Sequence, residues 1–446
     1  MIRMQVAEAA AALRAQFSDG RTEFTGCSTD SRSCGRAQLF VALAGPNHDG
    51  HAHVAEAGRR GAAAAMVSRA VDARIPTIRV DDTLVALGAL AAHWRGRFEL
   101  PVIGVTGSNG KTTVKEMLAA ILRTGAPVLA TRGNLNNEIG LPLTLMELGA
   151  EHRTAVIEMG ANHPGEIARL AELARPHVGV ITQCAPAHLE GFGSIEGVAR
   201  AKGELLEHLD GDGTAVINAD DAFAPLWREL AGTRRVLSFA IDAAAEVRAK
   251  WREERAGSRV VLATPQGDIE LHLALPGRHN VANAAAACAA ALAVGATPEI
   301  IAAGLESMRP VPGRLEVKTV ADDVCIIDDT YNANPASLEA GLEVLAAFPG
   351  HHWLVLGDMA ELGEDATTYH RQVAERVRAH GVERLLTVGE LSRLTTRQFG
   401  AGAEHHASMD ALIATLKGSL GPHTTVLVKG SRSMGMERVV AALTSE

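Results

Sequence analysis

Residues 104–113, with the sequence Gly-Val-Thr-Gly-Ser-Asn-Gly-Lys-Thr-Thr, carry side chains that could bind phosphate. They begin within the apolar run 101–105 and lead into a segment whose apolar residues recur at helical spacing. In such a strand-to-helix turn, the backbone N–H groups and the helix N-terminus face an anion. Lys111 would reach the outer phosphates, and the Thr112 hydroxyl could bind Mg²⁺. The segment therefore predicts a site for a nucleoside triphosphate.

This turn departs from the strict Walker pattern at one position, because Val105 stands where that pattern has glycine. The simpler interpretation is a tight turn that only starts a helix. A strand, the glycines, the lysine, a hydroxyl residue and a helix nevertheless occur in the expected order. That order favours a variant of the phosphate-binding loop.

Acidic and polar residues follow other apolar runs, where the carboxyl ends of strands form sites in α/β proteins. Glu158 ends the run 155–158 and could be a second Mg²⁺ ligand, or a surface carboxylate beside a turn. His188 lies just beyond a strand-like run and, considered alone, is more typical of a hydrogen-bonded loop histidine than of a metal ligand. The polar cluster 328–335 is either part of a site or a helix-capping turn.

Composition narrows the class of protein. The chain has 446 residues, 47% hydrophobic, with a net charge of −9 and no basic block, which argues against nucleic-acid and acidic-membrane binding. Five scattered cysteines indicate reduced thiols and a cytoplasmic location. We expect neither a signal peptide nor membrane insertion, because no apolar run approaches the ~20 residues of a membrane span.

Apolar runs and helical stretches alternate along the chain in three blocks, which predicts a three-domain α/β fold. Residues 1–99 would form a small N-terminal α/β domain and 100–309 a central, mostly parallel P-loop ATPase-like sheet. Residues 310–446 would form a doubly wound, Rossmann-like domain. Two prolines within 309–314 stop any helix and indicate a hinge.

The strand predictions are specific in the second and third blocks. In the second block we expect strands at 101–106, 154–159, 178–182 and 214–217, then a hairpin-like pair at 259–264 and 269–274. In the third block we expect four strands, each followed by a helix, at 324–328, 353–357, 384–388 and 425–429.

Several motifs, in this order along the chain, resemble those of the Mur ligase family, the ATP-dependent amide-forming enzymes of peptidoglycan precursor synthesis. The phosphate-binding variant at 106–113 matches the family's own loop, which accounts for Val105. The other matching segments are 131–142, 188–193 with 201–204, 277–283, 312–314 and 429–432. The resemblance covers essentially the whole chain.

Within that family, three features look like the member that adds a dipeptide last: 329–334, 356–363, and 30–32 with 49–51. The resemblance implies UDP-N-acetylmuramoyl-tripeptide and D-alanyl-D-alanine as substrates. It also implies ATP and Mg²⁺ as cofactors, a cytoplasmic monomer, and no nucleic-acid partner. The first domain would bind the UDP substrate, and the third would close over the site and bind the dipeptide.

The resemblance assigns roles to individual residues. ATP would be held by a loop and by residues across the cleft, namely Gly107, Ser108, Asn109, Gly110, Lys111, Thr112 and Thr113, with Asn283, Arg314 and Asp329. The metal ligands would be Thr112, Glu158 and, at a second Mg²⁺, His188. The substrates would contact Ser31, Arg32, Asn134, Asn137, Asn332, Ser431 and Arg432. The catalytic set would be Lys111, His188, Arg314 and Lys202, the last matching a lysine that is N-carbamoylated in family members.

Two other functions fit part of the pattern. The first is a sibling ligase, adding either a diamino acid or glutamate to a folate. A diamino-acid ligase should carry an arginine-bearing loop where this chain has 357–362, and a folate ligase should lack the block 1–99. The second is an ATPase switch acting on a partner protein, which would turn over ATP without an amino-acid acceptor and leaves the third block unexplained.

Overall fold

A computed structural model of the chain describes residues 1–46, 48–254, 257–320 and 323–445. These residues form three successive α/β units, each built around its own sheet, which confirms the predicted fold class. In this described part of the chain, no helix is long and apolar enough to cross a membrane.

The first unit is a small sheet flanked by helices. Its strands are β1 Arg3–Gln5, β2 Gln16–Phe17, β3 Glu23–Thr25, β4 Cys27–Ser28, β5 Leu39–Val41, β6 Ala44–Gly45, β7 His48–Asp49, β8 Ala64–Val67 and β9 Thr77–Arg79. Its helices are α1 Val6–Leu13, α2 Val54–Arg59 and α3 Thr83–Arg95. The main sheet has the order β2-β9-β8-β5-β4 and is parallel except at β2.

The central unit contains a nine-stranded sheet. Its strands are β10 Val102–Thr106, β11 Val128–Ala130, β12 Thr154–Glu158, β13 Val178–Ile181, β14 Thr214–Asn218, β15 Arg235–Ala240, β16 Val247–Glu254, β17 Gly257–Thr264 and β18 Gly267–Leu273. Its helices are α4 Lys111–Arg123, α5 Gly140–Leu145, α6 Glu166–Ala174, α7 Leu189–Phe192, α8 Ile195–Glu207, α9 Ala224–Ala231, α10 Arg278–Ala293 and α11 Pro298–Glu306.

The central sheet is mostly parallel, as predicted, but β11, β15 and β16 were not among the predicted strands. The order is β11-β12-β10-β13-β14-β15-β16-β17-β18, parallel as far as β16 and antiparallel beyond it. Helices cover both faces, so β10, β12 and β13 are buried along their whole length and consist of nearly continuous apolar runs. The predicted hairpin is β17 and β18.

The third unit is a six-stranded, doubly wound sheet. Its strands are β19 Glu316–Thr319, β20 Cys325–Asp329, β21 His351–Leu356, β22 Arg384–Val388, β23 Ala403–His406 and β24 Thr424–Lys429. Its helices are α12 Pro335–Ala346, α13 Ala366–Ala379, α14 Ser392–Phe399, α15 Met409–Ser419 and α16 Glu437–Thr444. The order is β19-β20-β24-β21-β22-β23, with only β19 antiparallel.

The sequence predicted four strand–helix repeats in this unit, and the structure has five. β23 and α15 form a fifth repeat, and β19 adds an antiparallel edge. β23 has the sequence Ala-Glu-His-His and lies at the edge of the sheet, where polar side chains reach solvent. It therefore lacks the apolar pattern by which the other strands were recognised.

The hydrophobic clusters separate the third unit from the rest of the chain. One cluster runs from Ile2 in the first unit to Leu205 in the central unit, so these two units share a core. The Met1 ammonium also donates to the Leu148 carbonyl at 2.8 Å. Clusters of the first two units extend no further than Met308, whereas those of the third begin at Leu315.

Candidate active site

The phosphate-binding turn has the predicted strand–loop–helix context. β10 ends at Thr106, and α4 begins at Lys111. Gly107 and Gly110 have φ angles of +143° and +83°, a region that favours glycine. A Cβ on Gly110 would also lie 2.4 Å from the side-chain oxygen of Asn283. Both backbone conformation and space therefore require glycine in this loop.

Lys111 is half-buried and lies against its own loop. Its Nζ donates to the carbonyls of Gly107 at 2.6 Å and Ser108 at 3.4 Å. Burial lowers the pKa of Lys111, the Glu158 carboxylate opposes that shift, and the Arg314 guanidinium adds to it. Because an ammonium has three N–H donors, one is left for an anion in the loop.

Glu158 and Thr112 bring two hard oxygen ligands together beside this loop. The Thr112 hydroxyl donates to Glu158 Oε2 at 2.9 Å, and Asn136 Nδ2 donates to Glu158 Oε1 at 2.7 Å. They meet because β12 pairs in parallel with β10, with Glu158 opposite Val105. Glu158 is only 2% exposed, so the alternative of a surface carboxylate is wrong.

These oxygens fit Mg²⁺ in the manner common at nucleotide sites. Within the described ranges, no group of three or more histidine, cysteine, aspartate or glutamate side chains could hold a metal by itself. Magnesium at nucleotide sites is commonly held by one or two carboxylates together with substrate phosphates. Glu158 and the Thr112 hydroxyl could supply the protein ligands of such a site.

Arg314 reaches this cluster from the start of the third unit. Its Nη2 donates to the Thr112 hydroxyl at 2.8 Å, and its Cζ lies 4.0 Å from the centroid of the Tyr331 ring. The Tyr331 N–H donates to the carbonyl of Gly313, which ties the ring to the arginine's own turn. Arg314 Nε is buried and has no hydrogen-bond partner among the residues that the structure describes.

A pair of asparagine side chains makes a second contact across the cleft. Asn334 Nδ2 donates to Asn109 Oδ1 at 2.8 Å. The Asn334 oxygen also accepts from the Ser337 N–H at 2.8 Å and caps α12. The capping alternative for the cluster 328–335 is therefore correct for Asn334, and the same side chain also contacts the phosphate-binding loop.

A buried ion pair lies at the end of β20. The Asp329 carboxylate accepts from Lys429, which also donates to the Asn332 carbonyl at 3.0 Å. Burial, together with the positive charge of Lys429, lowers the pKa of His279 to about 4, so this imidazole is neutral at pH 7. A cavity of about 140 Å³ beside the loop is lined by Asp329, Lys429, Asn332 and His279, together with Asn283.

A second cavity, of about 290 Å³, lies on the other side of Arg314. It brings together the predicted residues Ser108, Asn109, Gly110, Lys111, Thr112, Asn134, Asn137, Glu158, His188, Arg314 and Asn332. Its lining also includes Glu361, from the motif 356–363 expected near the dipeptide, and Asn136 and Tyr331, which the sequence analysis did not single out. Asn136 lies in the motif 131–142 and Tyr331 in the motif 329–334, but the residues predicted to bind substrate there are their neighbours.

His188 faces the third unit from the loop before α7. Its Nδ1 lies 2.6 Å from Glu361 Oε2, and this contact lowers the pKa of the Glu361 carboxyl. The Leu189 N–H donates to the Glu361 carbonyl at 3.1 Å. The central unit and the third unit therefore meet at this loop as well as at Arg314.

Lys202 lies on α8 and is 1% exposed, so the alternative of a solvated lysine is wrong. Its Nζ is 5.2 Å from the centroid of the Phe192 ring. Burial, reinforced by the positive charge of Lys111, lowers the pKa of Lys202 to about 7. The neutral amine is therefore far more populated at pH 7 than in an ordinary lysine.

Of the remaining predicted residues, Thr113 is buried on α4 and lines the smaller cavity, and the others lie elsewhere. Ser31 and Arg32 are in the first unit, where Ser31 donates to Glu56 at 3.3 Å and Arg32 pairs with Asp30 at 2.8 Å. The buried Ser431 hydroxyl accepts from a backbone N–H at 2.7 Å. Arg432 is exposed, with its Cζ 5.9 Å from the Tyr331 ring centroid.

Three family models match the chain in succession. Residues 23–95 match the model described as "Mur ligase family, catalytic domain". Residues 105–291 match the "Mur ligase middle domain", and residues 313–432 match "Mur ligase, glutamate ligase domain". A UDP-N-acetylmuramoyl-tripeptide–D-alanyl-D-alanine ligase of Escherichia coli is 46% identical over 420 residues, which is 93% of each chain.

Solved structures agree along the whole chain. A crystal structure of MurF from Acinetobacter baumannii superposes with a TM-score of 0.94 at 36% identity, covering 99% of both chains. MurF ligase from Thermotoga maritima, solved in complex with ADP, gives a TM-score of 0.82 at 29% identity. That alignment covers 94% of this chain and 97% of the other.

Proposed function

The chain belongs to the Mur ligase family, and we propose on that premise that it joins D-alanyl-D-alanine to UDP-N-acetylmuramoyl-tripeptide, with conversion of ATP to ADP. This is a step of peptidoglycan precursor synthesis. The observation that carries the proposal is the hydrogen bond from Arg314, of the third unit, to the Thr112 hydroxyl of the central unit, which itself donates to Glu158. Such a site assembles charge-neutralising groups around a nucleotide from both sides of a cleft.

The first half-reaction must activate a carboxylate, because a carboxylate and an ammonium do not condense in water. The terminal carboxylate of the tripeptide attacks the γ-phosphorus of ATP, an O–P bond forms, and the bond to ADP breaks. The product is an acyl phosphate. Two anions approach each other in this step, so cations are needed at the transferring phosphoryl group. Lys111 and Arg314 lie where they can supply that charge.

Thr112 and Glu158 would hold Mg²⁺, and His188 would serve a second Mg²⁺. The ion would offset phosphate charge and orient the phosphate oxygens. The neutral His279 and the Asp329–Lys429 pair would border the nucleoside in the smaller cavity, together with Asn283.

The second half-reaction forms the amide. The free amine of D-alanyl-D-alanine attacks the acyl carbon, the C–N bond forms, phosphate leaves, and the amine loses a proton. Water would hydrolyse the acyl phosphate, so the cleft has to stay closed during this step. The contacts of Arg314 with Thr112, Asn334 with Asn109 and Glu361 with Leu189 favour that closed arrangement.

Lys202 acts, in this proposal, as an N-carbamate. Its low pKa leaves a neutral amine, which can attack CO₂ to form a C–N bond with loss of a proton. The modification replaces a positive charge with a negative one and supplies two oxygen ligands. A buried ammonium so near Lys111 would otherwise repel cations at the site.

The substrates extend away from the central cleft. We place the uridine end of the UDP substrate on residues 1–99, around Ser31 and Arg32, and the peptide near Asn134 and Asn137. The dipeptide would bind residues 310–446 through Asn332, Ser431 and Arg432. A monomeric state and a cytoplasmic location stay predictions.

Phosphate release from ATP tests the proposal directly. Purified protein with UDP-N-acetylmuramoyl-tripeptide should release phosphate rapidly with D-alanyl-D-alanine and only slowly with single amino acids. Mass spectrometry should then find the UDP-linked pentapeptide. Faster turnover with a diamino acid would favour the sibling ligase. Turnover independent of any acceptor would favour an ATPase switch, and a Lys111→Ala sample controls for contaminating ATPases.

A further inference from the structure

Lys115 is a fully buried lysine that the proposed reaction does not use. It lies on α4, one turn beyond Lys111, and its side chain is 0% exposed. Its Nζ donates to the Thr131 carbonyl at 2.8 Å and pairs with the neighbouring Glu116 carboxylate. Burying a charge is unfavourable unless its partners compensate, so a lysine here needs a reason.

Thr131 connects this lysine to the neighbouring strand. The residue follows β11 and is 1% exposed. Its N–H donates to the Val156 carbonyl at 3.1 Å, and its hydroxyl accepts from the Glu158 N–H at 2.9 Å. Thr131 thus contacts Lys115 through its carbonyl and the Glu158 backbone through its hydroxyl.

The same residue begins the loop that approaches the Glu158 carboxylate. Asn136, on that loop, donates to Glu158 Oε1 at 2.7 Å, and its carbonyl accepts from the Gly160 N–H at 2.8 Å. The position of Thr131 therefore affects Glu158 in two ways. The Thr131 hydroxyl holds the Glu158 backbone N–H, and the loop that Thr131 begins carries Asn136, which holds the Glu158 carboxylate.

We propose that Lys115 is a positioning residue that sets the divalent-cation affinity of the site. Through Thr131 it fixes the Glu158 carboxylate at its distance from Thr112. The inference rests on the proposed function in one respect, namely that Glu158 and Thr112 hold the cation. Residues that orient metal ligands typically contribute 10–100-fold to metal affinity.

Replacement by methionine shows why the ammonium matters. Methionine has nearly the length of lysine but cannot donate, so the buried Thr131 carbonyl would lose its charged partner. An unpaired buried polar group is costly, and the loop would move to recover a hydrogen bond. Glu158 would follow because Thr131 and Asn136 both bond to it.

The test measures Mn²⁺ binding in the presence of ADP, by the loss of the paramagnetic resonance signal of free Mn²⁺. This measurement needs neither ligation nor an acceptor. Lys115→Met and Thr131→Val should bind Mn²⁺ about 10–100-fold more weakly than wild type, and Thr131→Ser, which keeps the hydroxyl, should stay within about 3-fold.

Arg95→Met is the matched control. Arg95 is likewise a buried cation that donates to backbone carbonyls, but it ends α3 and reaches the carbonyl of Ala174, at the end of α6, at 3.0 Å. Its loss should lower the melting temperature and leave Mn²⁺ affinity unchanged. An equal loss of affinity in Arg95→Met would overturn the proposal, since general destabilisation would then explain both.

Glu158→Gln separates failure of this inference from failure of the cation site itself. If Glu158→Gln weakens Mn²⁺ binding but Thr131→Val does not, the positioning role is wrong and the cation site stands. If Glu158→Gln has no effect, both the cation site and the positioning role fail. Should Lys115→Met not fold, Lys115→Gln takes its place, because the Thr131 variants keep the Lys115 bond to the Thr131 carbonyl and test only the bond to Glu158. Glutamine is shorter than lysine and uncharged, so Lys115→Gln should also weaken Mn²⁺ binding, and wild-type affinity would overturn the proposal.

Discussion

Replacement of Arg314 by glutamine should slow turnover far more than it weakens binding of the UDP substrate. The guanidinium reaches the Thr112 hydroxyl from the third unit and is held in direction by the Tyr331 ring. We therefore expect it to meet the phosphates only when the cleft is closed, and we expect its charge to act on the phosphoryl transition state rather than on the uridine end of the substrate.

The size of the effect follows from Coulomb's law. A unit charge about 4 Å from the developing phosphoryl charge, at an effective dielectric of about 20, contributes roughly 4 kcal/mol. Water entering in place of the guanidinium would recover part of this, which leaves about 2–4 kcal/mol. That corresponds to a loss of roughly 30- to 1,000-fold in kcat.

The assay is phosphate release under saturating D-alanyl-D-alanine, with ATP and UDP-tripeptide varied separately. Arg314→Lys keeps the charge but loses the planar fork and the stacking on Tyr331, so its kcat should be intermediate. If Arg314→Gln lost UDP-tripeptide affinity and turnover equally, with ATP use unchanged, the reasoning from the Thr112 contact would be refuted.

Three further substitutions probe separate parts of the site. Lys111→Ala should keep the fold and lose about 10²-fold or more in kcat, and a variant retaining more than about a tenth would contradict the phosphate-binding role. Lys202→Ala should be nearly inactive and partly rescued by short carboxylates. Because the pKa of Lys202 is about 7, wild-type activity should fall below pH 7, as the amine protonates, and recover with added CO₂. Arg432→Gln should raise KM for D-alanyl-D-alanine but not for ATP, whereas the reverse would place the acceptor elsewhere.

The local geometry of the phosphate-binding loop could be predicted because each part of it depends on neighbouring residues. An apolar run, two glycines and a helical pattern specify β10, the turn and α4. Glu158 could be placed beside that loop because the carboxyl ends of adjacent parallel strands meet at one edge of a sheet. These inferences need only local pattern and one general rule of topology.

Contacts across the cleft could not be derived in the same way. Asn109 and Asn334 are 225 residues apart, and Thr112 and Arg314 are 202 apart. A polar residue after a strand can cap a helix, face solvent or make a contact across a cleft. Asn334 both caps α12 and contacts Asn109 across the cleft. The resemblance to a family, not the residue pattern, directed attention to Arg314.

Lys115 illustrates a further limit. On sequence it is an ordinary lysine on an amphipathic helix, where a solvated side chain is the usual outcome. Its burial arises from β11, which brings the Thr131 carbonyl within 2.8 Å of the ammonium. That strand has three residues and no distinctive composition, so no sequence pattern indicates the partner of Lys115.

The division of hydrophobic clusters between Met308 and Leu315 has a consequence for the energetics of unfolding. The first and central units share apolar side chains, so they should melt as one cooperative block, whereas the third can lose its structure separately. The two blocks are joined near the site by polar contacts such as Asn334 with Asn109. A nucleotide bound between the two blocks is released when either block unfolds, so its binding raises the free energy of unfolding of both. Two separate thermal transitions should therefore merge into one when the nucleotide is bound.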